Sequence, residues 1–434
     1  MKRSLIILSI FYMSACQKIE YTSMDSPAYL RVFNSLNKLH VLETKGDTLS
    51  YLCMLINPQF NAEGIPVGGE VVGDFLDRRA NYAPPYPVHI GASTSVHNPE
   101  YPGKESVLAA PVLNGFDLSS WAQVPSGELR FVFMYRPRNT LPFFDLEDRY
   151  KRDVLVDTTL RLEAGEVYTM HTLLKDFNTK ETGVLLRQET FHKQSLSDSL
   201  VYVNFYNYSA KGFVDAPNNL KVPAGTNRLN LFEEGIRDTM NIYLSLLVDQ
   251  GYSYSAGDRH YADGVMFSAE PKPLDGYRFQ FLGTMRHDGF SGRPAPYQSF
   301  PLWVRDSDDG INTDLWQRFH LLAPGLAIDH HPFEEYAAYA SSETPTSGGV
   351  LGTTGGRFAA INCLVDNMKI YVREVCPNCN QSFYHAGANL PNLVVNTHSG
   401  IHNPRSFATV NTFEVINGQV YLTTIQRRYA APIY

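Results

Sequence analysis

A chain of 434 residues, 44% hydrophobic and 19% charged, is long enough to bury two or three separate cores. Its formal net charge of −7 is spread without a basic run or stripe, so nucleic-acid binding and adhesion to anionic lipid have no electrostatic basis. The 26 Tyr, 25 Phe, 31 Gly and 26 Pro favour strands and turns over helices.

The amino-acid sequence opens MKRSLIILSIFYMSAC. Lys2 and Arg3 precede an apolar run from Leu5 to Met13. At about 1.5 Å per residue that run is too short for a hydrocarbon core roughly 30 Å thick. A positive start, a short apolar stretch and small residues describe an export signal. Ser14-Ala15-Cys16 resembles a lipobox, which implies removal of residues 1–15 and lipid attachment at Cys16. Several acyl chains anchor stably where one does not. Loss of Lys2 and Arg3 takes the formal charge from −7 to −9. Residues 16–27 then form a lipidated tether, flexible over Gln17 to Ser26, and the membrane becomes a partner through the N-terminal lipid. Gln17 in place of Asp removes an inner-membrane retention cue, so an outer-membrane lipoprotein is expected. Glu20 and Asp25, diluted by Lys18 and Ile19, leave cell-surface and periplasm-facing orientations both open.

Downstream, short alternating or wholly apolar segments are split by Gly, Pro, Asn and Asp. Strands are expected over Tyr29 to Phe33, Leu129 to Met134, Val167 to Leu174, Leu200 to Tyr206, Met240 to Val248 and Met368 to Val375. Asp314 to Leu322 reads as a short helix stopped by Pro324 and Gly325. The fold class is all-β: tandem immunoglobulin-like β-sandwiches with a long insertion in the second.

An internal duplication supports that division. Leu30-Arg-Val-Phe-Asn34-Ser35 is echoed by Val203-Asn-Phe-Tyr-Asn207-Tyr-Ser209. Gly127 to Phe133 is matched with Gly276 to Phe281, and Pro142-Phe-Phe144 with Pro301-Leu-Trp303. Val156-Asp-Thr158 followed by Gly165-Glu-Val-Tyr168 is matched with Val410-Asn-Thr412 followed by Gly418-Gln-Val-Tyr421. These matches give repeats over 28–198 and 199–434, with about 95 extra residues at roughly 306–406. A third small module over 356–434, starting at Arg357, is the alternative division. On this layout the tether holds the first sandwich near the membrane, and the second stands farther out.

The lipobox, Leu30-Arg-Val-Phe-Asn-Ser35, the Gly165-Glu-Val-Tyr-Thr169 strand and a second module start together resemble the tandem β-sandwich lipoproteins of the Bacteroidota, many of unknown function. The resemblance covers most of residues 16 to 210 and implies fold and location. It also implies a non-enzymatic envelope protein acting in ligand binding, with a glycan or protein as ligand, or in structural support at the outer membrane. An adhesin or assembly subunit is one alternative, and a hydrolase with an unrecognised carboxylate site is another.

Candidate chemistry concentrates late in the chain. Cys376-Pro-Asn-Cys379 falls at the tip of a hairpin expected between Met368 and His385, and export favours a disulfide there over free thiols. A zinc set with His398 and His402 and a redox pair are further readings. A Cys53–Cys363 bond is a separate option. Asp306, Asp308 and Asp309 are weak calcium candidates, since the EF-hand register fails and a solvated acidic turn explains them. His330 and His331 read as a polar loop, and Gly348 to Gly356 as a connector without the P-loop lysine. No G-x-S-x-G or H-E-x-x-H motif occurs. Trp121, Trp303 and Trp316 lie in loop-like or strand-end contexts where a flat ring could stack on a sugar; burial in a core is the competing reading. No cofactor is expected.

Overall fold

The computed structural model describes residues 24–36, 51–76, 79, 108–137, 139, 141–197, 200–217, 237–248, 264–266, 272–273, 280–301, 315–322, 324, 358–364, 369–375, 382–386, 409–417 and 419–427. The protein is all-β. Its first unit holds β1 (Ala28–Ser35), β2 (Tyr51–Ile56), β3 (Gln59–Phe60), β4 (Pro66–Gly68) and β5 (Val71–Leu76). It continues with β6 (Ala122–Val124), β7 (Gly127–Arg136), β8 (Val154–Leu162), β9 (Val167–Leu174) and β10 (Thr182–Gln188). Two four-stranded sheets, ordered β10-β9-β1-β6 and β5-β2-β7-β8, enclose one core; β3 and β4 form a separate ribbon. Strand alternation builds that core. Ala28, Leu30 and Val32 of β1 meet Leu52, Met54 and Ile56 of β2, Phe131 and Phe133 of β7, and Met170 of β9. The outer face of the second sheet is covered by Phe143 and Leu146, which pack on Cys53, Leu55 and Val132. There Arg136 and Asp74 form a buried ion pair.

The second unit repeats this plan. It comprises β11 (Leu200–Asn207), β12 (Thr239–Val248), β13 (Gly264–Met266), β14 (Lys272–Pro273), β15 (Gln280–Arg286) and β16 (Gln298–Pro301). Then follow β17 (Leu315–Leu322), β18 (Phe358–Leu364), β19 (Lys369–Val375), β20 (Ser382–Ala386), β21 (Thr409–Ile416) and β22 (Gln419–Gln426). One sheet runs β16-β11-β21-β22 and the other β14-β12-β17-β18, with β15 also on β12. In each unit the first strand pairs parallel with a late strand that begins a hairpin: β1 with β9, then β11 with β21. The registers agree residue by residue, because Tyr29 lies opposite Val167 as Tyr202 lies opposite Val410.

Asn34 and Asn207 share a role at this register. Asn34 Nδ2 donates to the Leu76 carbonyl (2.9 Å), and its Oδ1 accepts from the Leu36 amide (3.2 Å). Asn207 Nδ2 donates to the Arg237 carbonyl (2.9 Å) and its Oδ1 accepts from the Ser209 amide (3.1 Å). Each asparagine therefore ties the end of the first strand to the chain beside it. Asn34→Ala and Asn207→Ala are each expected to lower unfolding free energy by about 2 kcal/mol, read by urea denaturation, because each strands a backbone donor and acceptor. A large loss at one position with none at the other would break the equivalence.

Of the four sequence matches, Leu30–Asn34 with Val203–Asn207 falls on equivalent strands. The other three are displaced. The counterpart of β7 is β17, whereas Phe281 belongs to β15 on the edge of β12. Pro301 ends β16, the counterpart of β6, and Val410 lies on the counterpart of β9 rather than of β8. Apolar–polar alternation recurs in every strand, so short matches of this kind slip by a strand without penalty. The extra chain is consequently divided. The tight turn from Leu162 to Val167 becomes the long connection from Leu364 to Thr409, and the β17–β18 connection is lengthened as well. Phe358–Leu364 is the edge strand of the second unit's sheet, and β19 joins β13 and β20 in a separate three-stranded sheet.

The helix expected over Asp314 to Leu322 is strand β17. Leu315, Phe319 and Leu322 have helical spacing, yet pairing on both sides with β12 and β18 sets period two, and Phe319 and Leu321 are buried. A short apolar run leaves this choice open, and tertiary pairing decides it.

Candidate functional site between the two units

The outward faces of the β10-β9-β1-β6 and β16-β11-β21-β22 sheets pack on each other. Because Ala28, Leu30 and Val32 point into the first core, Tyr29, Arg31, Phe33 and Ser35 point out of it. Phe205 and Phe413 stack at 5.2 Å within the second core, which leaves Tyr206 and Glu414 facing outward. Val167, Val410, Ile425 and Trp121 share one apolar cluster at this face, and Leu173, Leu185, Ile416 and Tyr421 share another. Val167 with Val410, His171 with Glu414 and Leu173 with Ile416 thus set strand β9 over β21 in the same direction. The loop at Gly292 completes the seal: its φ is +66°, and a Cβ there would come within 2.1 Å of the Leu186 carbonyl oxygen. Only glycine fits such an approach.

Between the two apolar clusters lies a band of buried charge. Glu414 is fully buried and binds three groups: Arg187 Nη1 at 2.7 Å, Arg79 Nη2 at 2.6 Å and His171 Nε2 at 3.2 Å. Arg187 also donates to Glu189 (2.9 Å) and to the Tyr208 hydroxyl (2.8 Å). Thr169 Oγ1 donates to Glu189 (2.6 Å) and accepts from Arg31 Nη2 (3.1 Å). Aromatic faces line the band. The Arg31 guanidinium lies 3.9 Å from the Trp121 ring centre, Arg79 lies 4.0 Å from Phe33, and Arg187 lies 4.2 Å from Tyr206. Cations held against aromatic faces away from water gain more than they would at a surface.

The charges settle one another. Burial works against the Glu414 carboxylate, but Arg79, His171 and Arg187 hold it well below the usual carboxylate range. Burial likewise opposes the Arg187 charge, and Glu189, Tyr208 and Glu414 keep it well above the ordinary value. Burial brings Arg31 down to about 10 against the pull of Glu189 and Glu414, so it stays cationic at neutral pH. His171 goes the other way. Burial pushes it down to about 4 despite Glu414, so it is neutral at pH 7. Its partners assign the tautomer: Nε2–H donates to Glu414, and Nδ1 accepts from Ser35 Oγ at 3.2 Å.

Ser35, His171 and Glu414 form a hydrogen-bonded series with the order of a hydrolytic triad. Two features separate it from one. All three side chains are buried, at 1%, 0% and 0% relative exposure. The carboxylate is already neutralised by two guanidinium groups instead of being reserved for an imidazolium. A fluorophosphonate serine probe is expected to leave Ser35 unlabelled in the folded protein; labelling lost in Ser35→Ala would make this an enzyme. Glu189 and Glu414 are the carboxylate pair that converges here, and both point at Arg187 from within the interface.

Trp121 is a core residue. It is 1% exposed, and its Nε1 donates to the Tyr168 carbonyl at 3.1 Å, so its ring has no face free for a ligand. Trp316 is on β17, opposite Leu247 and Leu364. Cys376 and Cys379 belong to the connection of the β19–β20 hairpin, as expected, and they and Trp303, Asp306, Asp308, Asp309, His330, His331 and Cys16 lie outside the described residues. Cys53 packs in the first unit and Cys363 is on β18 of the second. Among the described residues no group of three or more His, Cys, Asp or Glu is placed to hold a metal ion. Among the described residues no helix is long and apolar enough to cross a membrane.

No family model and no curated protein matches the chain. Among solved structures it is similar to a Bacteroides uniformis protein provisionally described as a cell adhesion protein, at 10% identity and a TM-score of 0.15, over 93% of this chain and 100% of that one.

Proposed function

We propose that the protein is a non-enzymatic, lipid-anchored support element of the cell envelope, built from two immunoglobulin-like sandwiches over about 28–198 and 199–434. The observation that carries this reading is the use of its buried charge. Arg79 and Arg187 of the first unit are spent on Glu414 of the second, and Arg31 and Glu189 complete the band from the first unit's side. A body locked sheet face to sheet face suits stiffness and display. The anchor rests on the lipobox at Cys16, and the connection from Leu364 to Thr409 is the surface assigned to display.

The layering changes where that surface lies relative to the tether. The chain reaches β1 beside the β8–β9 turn, where the Gly165 amide donates to the Pro27 carbonyl. The long connection of the second unit replaces the corresponding turn, and β9 and β21 run in the same direction. The insertion therefore leaves the pole at which the tether arrives, and the second unit lies beside the first instead of beyond it.

Metabolic labelling with an alkyne fatty acid tests the anchor: label is expected on the native chain and absent from Cys16→Ser. Affinity gels containing soluble polysaccharides test the role. Support requires unretarded migration in all of them, and a retardation that depends on one polysaccharide would replace support by glycan binding.

A further inference from the structure

The interface pairs His171 with Glu414, its register counterpart in the second unit, inside a band that holds more buried cations than anions. Facing His171 are Ser35 and Phe33 from β1, Glu414 from β21, Arg79 beyond β5, Arg187 from β10, and Tyr208 beyond β11. Arg31 and Glu189 complete the band. At neutral pH, three guanidinium groups face two carboxylates and a neutral imidazole. We propose that the face between the two sandwiches is an acid-released clasp, whose opening lets the units part while each keeps its own fold.

The geometry supplies the mechanism. A proton on His171 must go to Nδ1, because Nε2–H already donates to Glu414. The new N–H would point at Ser35 Oγ and at Arg79 Nη1, which is 3.4 Å away and has only donors to offer. The added cation would lie among Arg79 and Arg187, away from water. Parting the sheets hydrates all of these groups at once. Each unit has its own core to fall back on: Leu30, Met54, Phe131 and Met170 in the first, and Phe205, Phe300, Phe319 and Phe413 in the second. The connection between Gln188 and Leu200 keeps them tethered.

The direction of the pH effect follows from the buried groups. His171 is pushed down to about 4 in the closed form from an ordinary 6.5, so the open form takes up a proton between those values. Closure is therefore fully favoured above about pH 6.5 and weakens as pH falls towards 4, the opening constant rising about tenfold per pH unit. Glu414, held well below its usual range, adds to the loss at still lower pH.

Small-angle scattering of the full chain from pH 7 to pH 4, with far-UV circular dichroism on the same samples, tests the proposal. The expected result is a reversible increase in radius of gyration below pH 6 with the strand signal retained. His171→Phe, which removes the titrating group and keeps a ring beside Phe33 and Tyr208, is expected to shift the expansion at least one pH unit lower. An unchanged radius down to pH 4, or expansion only together with loss of the strand signal, overturns the clasp even if His171→Phe does not fold. A folded His171→Phe that expands at the same pH also overturns it.

Discussion

Glu414→Gln is expected to destabilise the protein by about 3–5 kcal/mol, measured by chemical denaturation at pH 7, although it changes a single atom type. Removing one partner of a buried ion pair costs this much because the other partner stays buried without its counter-charge. Here two guanidinium groups depend on one carboxylate: Arg79 at 2.6 Å and Arg187 at 2.7 Å. The amide keeps the shape, but its NH2 must face a donor, either Arg79 Nη2 or Arg187 Nη1 with His171 Nε2, so the loss combines the missing charge with a donor–donor conflict. The surface pair Arg130–Asp157 gives the contrast. It is as short, at 2.6 Å, but its side chains are 46% and 41% exposed. Asp157→Asn is expected to cost under about 1 kcal/mol. Equal losses at the two sites would mean that the interface is hydrated and the band is not a joint.

The strands were largely legible, because apolar alternation is a property of each segment by itself. Val167–Leu174 agrees with β9 at both ends, and Lys369–Val375 falls within the segment expected for β19. The repeat was legible only at Leu30–Ser35, where the asparagine that ends the strand is a specific chemical requirement rather than generic strand pattern. The joint was not legible as a site. Its residues are scattered from Arg31 to Glu414, and no spacing rule connects them. Yet each left a local trace: His171 within VYTMHTLL, Arg187 within TGVLLRQ and Glu414 within TVNTFEVI are polar groups embedded in otherwise strand-like runs. A titratable side chain in such a run needs a buried partner on another element. What the sequence could not supply was which element, since that depends on two sheets meeting face to face.

Trp121 takes the core reading of the two that its sequence context leaves open, and its removal is the second large effect expected. A tryptophan held for ligand stacking could be replaced by Ala with little change in stability, because its ring would already face water. In this fold the ring fills the interface against Phe191 at 6.1 Å, under the Arg31 guanidinium, with its indole N–H on the Tyr168 carbonyl. Trp121→Ala would open a cavity, remove the indole N–H bond to the Tyr168 carbonyl and take the aromatic face from a buried cation whose Nε has no hydrogen-bond partner among the described residues. The transfer and cavity terms alone give about 3–5 kcal/mol. Trp121→Phe, which restores a ring without the N–H, is expected to recover about half. If Trp121 served only the first core, the loss would be the same whether or not the units were joined. Because it bridges to Val410 and Ile425 of the second unit, its loss should be non-additive with Glu414→Gln: once either substitution has loosened the joint, the other has less left to remove, and the double variant should fall short of the sum of the two.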